Sequence, residues 1–324
     1  MVKELLRTRL VVAGGVVAVL SLTALAAVSV AATPPKLKGT ITADGSSTVG
    51  PYTQAAAELF RKVQPGVQVT VAISGTGGGF QRFCNGETDL SDALRPISQT
   101  KEVPSCLKNG IGYVAFTVAN DGITLVTNKQ NTWARCLTVS ELKKIWEPGS
   151  KVNNWKDVRP SFPDVGMKLY GAGTDSGTFD FFTEKINGKA KASRSDYSAT
   201  EDDNVTVQGV AGDKGALGYF GYSYYNENRD KLNALQVNAE KGGGCVAPSA
   251  ETVQSNQYRP LSRPLFIYVK RTSFKRPEVQ GFLSFIFDDE KVIAQKSRLI
   301  SLTAKQLRKA KRYYTNALKK AKQS

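Results

Sequence analysis

The chain has 324 residues, 41% of them apolar and 22% charged, with a formal net charge of +16 and no histidine. That size supports two ordinary domains or one large one, and the composition is that of a globular chain rather than a disordered one. Without histidine, a Ser-His-Asp triad and the usual zinc hydrolase sites are excluded.

The first segment reads as an export signal. Lys3, Arg7 and Arg9 precede an apolar run over residues 10–32, and "SVAAT" offers a small-residue cleavage site after Ala32. Because the run is long, an uncleaved membrane anchor is the alternative. No cysteine follows the run before Cys84, which excludes lipid attachment at a new N-terminal cysteine. Removal of residues 1–32 takes away three bases and Glu4, so about +14 remains.

Strand-like and helical patterns then alternate. Tyr52, Ala55, Ala56, Leu59, Phe60 and Val63 fall on one helical face, opened by Pro51. Residues 67–73, 122–128, 167–172, 216–222 and 264–270 read as strands. "TVSELKKIW" predicts a helix with Ser140 as its start signal and Glu141 in the first turn, and "RPEVQGFLSFIFDD" predicts another. The glycine-rich run at 241–249 predicts a loop near a crossing between two halves. There are no tandem repeats. The alternation implies an α/β fold with open, largely parallel sheets.

Three turns carry the chemistry: "ADGSSTVGPYTQAAAELF", "ISGTGGGFQRFC" and "GAGTDSGTFDFF". Each places glycines or hydroxyls immediately before a helix. A helix start leaves about four backbone N–H groups unpaired and carries partial positive charge. Glycine lets those amides approach a ligand, and Ser or Thr adds an uncharged donor. One such turn caps a helix; three with converging tips would hold a small tetrahedral oxyanion. No glycine-rich turn ends in Gly-Lys-Ser/Thr, so a nucleotide P-loop is absent. Asp202 and Asp203 in "TEDDN" form a carboxylate pair of the kind used on glycosides, but neighbours on an extended chain point apart, and a solvated loop is the better reading.

The C-terminal "AKQLRKAKRYYTNALKKAKQS" holds eight Lys/Arg and no acid. It reads as a solvated helix face, with attraction to an anionic envelope as the alternative. Nucleic acid is a poor partner for an exported chain with no helix-turn-helix, zinc-finger or RNP pattern.

"DGSSTVGP", "SGTGGGFQRFCNGETDLSDALRPI", "GAGTDSGTFDFF", "VAGDKGALGYFGYSYY" and "LSRPLFIYV", in this order over residues 38–294, resemble the PstS family, the phosphate-binding proteins of bacterial phosphate ABC importers. The resemblance implies a type II periplasmic-binding-protein fold, with two α/β lobes joined by two crossing strands and closing on a ligand. One lobe would comprise residues 33–120 plus 255–324, the other residues 121–254. Cys84 would then pair with Cys106 and Cys136 with Cys245, each bridge within one lobe; among four cysteines three pairings are open. No C-x-x-C spacing suggests a metal site, and no cofactor is implied.

The family's contacts fall on Ser47 and Thr48 with Ser46 adjacent, on Thr76 with the Gly77 amide, and on Ser176, Gly177 and Thr178. Many members carry an arginine where this chain has Ala172, so the resemblance leaves Arg95 in "LRPI" as the cationic contact. The carboxylate that accepts the proton of hydrogen phosphate and so rejects sulfate is expected at Asp92, then Asp175, because Leu94 fills the aligned slot. The implied protein is an exported, monomeric, non-enzymatic receptor in the periplasm or cell envelope that delivers phosphate to an ABC permease. The rival readings are a receptor for another oxyanion such as sulfate, an envelope phosphatase or phosphoryl-transfer enzyme, and a surface adhesion or sensing protein using the basic tail.

Overall fold

Alternation in "GTITADG" builds strand β1 (Gly39–Gly45), and the apolar face of the next segment builds helix α1 (Gly50–Val63) with Pro51 in its first turn. Tyr52, Ala55, Ala56 and Phe60 are buried as the pattern predicts, whereas Val63 is exposed at the last turn. These coordinates are a computed structural model, which describes residues 36–174, 176–200, 202–240 and 243–323. Residues 36–324 form one compact unit.

The chain continues through β2 (Val67–Ala72), α2 (Gly75–Cys84), β3 (Leu90–Ala93), α3 (Glu102–Lys108) and the long β4 (Tyr113–Asn128). Next come β5 (Cys136–Thr138), α4 (Val139–Trp146), α5 (Trp155–Val158), β6 (Lys168–Ala172) and α6 (Gly177–Asn187). β7 (Ser198–Thr200), α7 (Asp203–Gly212), β8 (Ala216–Gly221), α8 (Tyr222–Glu227), β9 (Leu232–Ala234), β10 (Gln236–Asn238) and β11 (Cys245–Val246) follow. The chain ends with α9 (Ala250–Gln254), β12 (Ser262–Lys270), α10 (Pro277–Asp288), α11 (Glu290–Lys296) and α12 (Ala304–Gln323).

The main sheet runs β2-β1-β3-β12-β4-β8-β6-β7, with β9 also on β4, and a small sheet runs β11-β10-β5. Parallel pairing joins β1 to β2 and β3, and β6 to β7 and β8. In the middle, β12 runs antiparallel to both β3 and β4, and β4 antiparallel to β8. The sheet is therefore mixed where the alternation predicted a largely parallel one, because strand–helix alternation does not report the two strands that change direction at the centre. β4 pairs with β12 along its first half and with β8 and β9 along its second.

Two large apolar clusters flank this crossing. One draws Ile41, Phe60, Leu90, Phe116, Leu265 and Phe282 together. The other gathers Leu125, Leu137, Trp146, Trp155, Phe182 and Leu217. The fold is thus a two-lobed α/β arrangement about crossing strands, as the resemblance implies.

Both expected disulfides are present, Cys84–Cys106 and Cys136–Cys245. The second ties β11 to β5, so the glycine-rich run at 241–249 carries a short strand of the small sheet; Lys241 and Gly242 lie outside the described residues. The start of α4 differs from expectation. Its cap is Thr138, not Ser140: Thr138 Oγ1 accepts from the Glu141 amide and Glu141 Oε2 accepts from the Thr138 amide. Asp202 is exposed, as expected, but it stands at a helix start rather than in a loop: it caps α7 by accepting from the Asn204 amide, and Asp203 is the first residue of that helix.

Candidate anion-binding site

The first turn is shaped by Ser46. Its buried Oγ accepts from the amides of Thr48 and Val49, and its own amide donates to the Asp92 carbonyl. Ser46 thus builds the turn, while Ser47 and Thr48 line the space beyond it. The third turn ends in Ser176, which caps α6 by accepting from the Thr178 amide at 3.1 Å.

These two helix starts meet. A Cβ added at Gly177 would collide with Thr48 Oγ1 and Ser47 Oγ, so only glycine allows the α6 start to lie this close to the first turn. Between them a cleft of about 360 Å³ is lined by Ser47, Thr48, Asp121, Ser176, Gly177 and Thr178, with Asp203, Tyr224 and Arg298 also on its walls.

The second turn stands behind the first. Gly79 of α2 packs on Gly45, where any side chain would strike the Gly45 backbone. Thr76 is buried and its hydroxyl accepts from the Leu94 amide at 3.3 Å. The start of α2 has no side-chain cap at Ser74, and the space beside Gly77 is open. Thr76 and Gly77 are not among the cleft-lining residues. Asp175 lies outside the described residues.

The charged groups are arranged differently from the sequence-based expectation. Arg95 is held by Glu102 through two hydrogen bonds of 2.8 and 3.2 Å and stands over the Phe80 ring. Its side chain is 36% exposed and does not line the cleft. Asp92 is fully buried; its Oδ1 accepts from Thr53 Oγ1 at 2.9 Å, and Oδ2 has no partner among the described residues. Burial, with Asp44 nearby, pushes its carboxyl up to about 7 against the opposing Thr53 bond. Such a group belongs to the packing under α1.

Two arginines stand near the cleft: Arg298 on its wall is paired with Glu227 at 2.9 Å and lies over Tyr224, while Arg263 on β12 sits behind the wall, bound to cleft-lining residues. In the β12–β4 register it sits directly opposite Asp121. Its Nε and Nη2 donate to Asp121 Oδ2 at 3.2 and 2.9 Å, and Nη2 also donates to Thr48 Oγ1 at 3.1 Å. The guanidinium lies 3.7 Å from the Phe181 ring centroid. Its Nη1 is buried with no hydrogen-bond partner among the described residues. Burial pulls its pKa down, and Asp121, Glu184 and Asp180 push it back up. Arg263 and Asp121 were not singled out in the sequence. The signal was present in "LSRPLFIYV" and "ANDGITLV", but only the antiparallel register brings them together.

The arrangement offers amides of two helix starts, the four hydroxyls of Ser47, Thr48, Ser176 and Thr178, and a buried guanidinium behind them, a set suited to a dehydrated anion. Comparison with known proteins agrees. Residues 30–290 match the family model of the PBP superfamily domain. The chain is 46% identical over 267 residues to Protein SphX of Synechococcus elongatus, covering 82% of this chain and 78% of that one. It is 38% identical over 273 residues to the phosphate-binding protein PstS of Staphylococcus saprophyticus, covering 83% and 82%. The crystal structure of a possible phosphate binding protein from Planctomyces limnophilus superposes with a TM-score of 0.82 at 49% identity, over 87% of this chain and 100% of that one. The chain therefore belongs to the PBP superfamily and, within it, to the family of the PstS and SphX phosphate-binding proteins.

Proposed function

We propose that this protein is an exported receptor that closes on one inorganic phosphate between its two lobes and delivers it to an ABC importer. The observation that carries the reading is Arg263: a buried guanidinium bound to two cleft-lining residues, Thr48 and Asp121, with no hydrogen-bond partner for Nη1 among the described residues. An unpaired buried donor costs roughly 1–3 kcal/mol, more when charged, and an anion oxygen relieves that cost. The lobes are 33–120 with 255–324, and 121–254; one apolar cluster lies within the first, and the other draws on the second with Tyr258, Leu261 and Ile300 added from the first.

In this reading Ser47, Thr48, Ser176, Gly177 and Thr178 supply the anion's donors, with Thr76 and Gly77 supporting them through the start of α2. Arg263 takes the cationic role expected of Arg95. Asp121 lines the cleft and its described hydrogen bonds all use Oδ2, so Oδ1 is the acceptor for the proton of hydrogen phosphate. Fully ionised sulfate would set lone pairs against that carboxylate. Lobe closure removes water from the anion and creates a surface the permease distinguishes from the open form. The receptor acts as a monomer and performs no chemistry on its ligand.

Calorimetric titration of ligand-stripped residues 33–324 with phosphate and then sulfate, between about pH 5 and about pH 8.5, tests this. Saturable phosphate binding with little sulfate binding supports it, together with no turnover of a phosphoester. Equal binding of both anions removes the Asp121 role, and binding of neither removes the receptor.

A further inference from the structure

The cleft leaves the most basic element of the chain unused. Helix α12 lies beyond residue 290, where the match to the family model ends. Its start is capped by Thr303 and Gln306, each side chain accepting from the other's amide. Leu307, Ala310, Tyr314, Ala317, Leu318 and Ala321 seal one face onto the lobe core.

On the opposite face Lys305, Arg308, Lys309, Arg312, Lys319 and Lys320 are all exposed. At 100° per residue they fall within an arc of about 120°, and they extend along about 22 Å of helix. None of the six forms a salt bridge among the described residues; the helix's described ion pair, Lys311 with Asp288 at 2.7 Å, lies off this arc. Like charges three and four residues apart weaken a helix, so neither helix stability nor core packing accounts for the stripe. Along one edge of it runs a groove of about 490 Å³, walled by Tyr113, Phe274, Tyr313 and Ala317 and carrying Arg271 and Lys320. Tyr313 is 43% exposed, with Lys309 Nζ 5.6 Å from its ring centroid.

We infer that α12 seats the protein on an anionic phospholipid surface, the stripe meeting headgroup phosphates and the aromatic groove receiving part of one lipid. A rigid helix that points six cations the same way matches a plane of negative charge, and an aromatic ring beside a cation suits the headgroup boundary. A soluble polyanion would make no use of the groove. The inference is independent of what binds in the cleft.

Residues 33–324 include the whole compact unit and both cores, and serve as the test protein. They are sedimented with vesicles of phosphatidylglycerol in phosphatidylcholine and with pure phosphatidylcholine. Two variants of equal net charge are compared: Lys305→Gln/Arg308→Gln/Lys309→Gln/Arg312→Gln on the stripe, and Lys129→Gln/Lys151→Gln/Lys156→Gln/Lys189→Gln at exposed positions of the other lobe. Glutamine keeps helix propensity close to that of Lys and Arg, and an unchanged thermal transition reports folding. The expected result is binding to the anionic vesicles alone, weakened at least tenfold by the stripe variant and by high salt, and less than threefold by the other. Equal loss in both variants, equal binding to neutral vesicles, no vesicle binding, or binding only to soluble polyphosphate would each overturn it.

Discussion

Two regions of the molecule each bring an acid and an arginine close to the site, and they use them in opposite ways. In β3 and the turn after it, Asp92 and Arg95 are three residues apart and never meet: one is buried against Thr53, the other is paired outward with Glu102. On the crossing strands, Asp121 and Arg263 are 142 residues apart and share two hydrogen bonds. In the first region the alternation of the strand and the turn that follows separate the charges, one into the core and one to the surface. In the second, cross-strand register puts them face to face in a dehydrated position between the lobes. The charge pair beside the cleft is thus a product of strand pairing rather than of sequence proximity.

The sharpest way to break this contrast is at Arg263. Arg263→Met should weaken phosphate binding by on the order of 10³-fold, since the guanidinium's hydrogen bonds to the anion are lost at about 1.5–3 kcal/mol each, and the Asp121 left unpaired should separately lower stability by about 3–5 kcal/mol. Arg263→Lys keeps a charge beside Asp121 and should lose roughly tenfold to a hundredfold, because the fork to Thr48 and the anion is lost. Titration calorimetry reads both, and near-normal affinity in the methionine variant would move the cation elsewhere.

Asp92 tests the other region. Its folded carboxyl titrates at about 7, above its unfolded value, so folding takes up a proton between about pH 4 and about pH 7. Its contribution to stability is present at low pH and is lost as pH rises through that window. Denaturant unfolding should therefore show wild type losing up to roughly 4 kcal/mol relative to Asp92→Asn across this range. A pH-independent difference would mean that Asp92 is ionised in the fold throughout.

Ser176→Ala removes both the α6 cap and a cleft hydroxyl. About tenfold weaker phosphate binding is expected, with about 1 kcal/mol lost in stability. Equal affinity with lower stability would reduce Ser176 to a cap. The smallest effect belongs to Arg95→Met: affinity should change by less than about threefold, and stability by about 1 kcal/mol or less, as for a partly exposed ion pair. A large loss of affinity there would restore Arg95 to the site and erase the contrast between the two regions.

Much of the molecule was legible beforehand because it depends on local chemistry. The apolar periodicity of α1 and α10 and the β-rich runs of β2, β6, β8 and β12 report which face is buried, a matter settled within a few residues. The hydroxyls of the first and third turns were visible because they cluster directly before a helical pattern; Ser176 caps α6, whereas α1 starts at Val49 without a side-chain cap. The cap of α4 was misplaced by two residues because Thr138 and Ser140 are chemically equivalent caps, and only the reciprocal bond with Glu141 separates them.

The sequence by itself determined the alternating α/β elements, the glycine and hydroxyl chemistry of three helix starts, and the basic stripe of α12. Tertiary structure alone decided that Gly177 meets Ser47 and Thr48, that Arg263 rather than Arg95 adjoins the cleft, and that Asp92 is sealed in the core. The physical reason is the same in each case. Local propensity acts over a few residues, while the desolvation and register that fix a charge arise only when strands distant in the chain are paired.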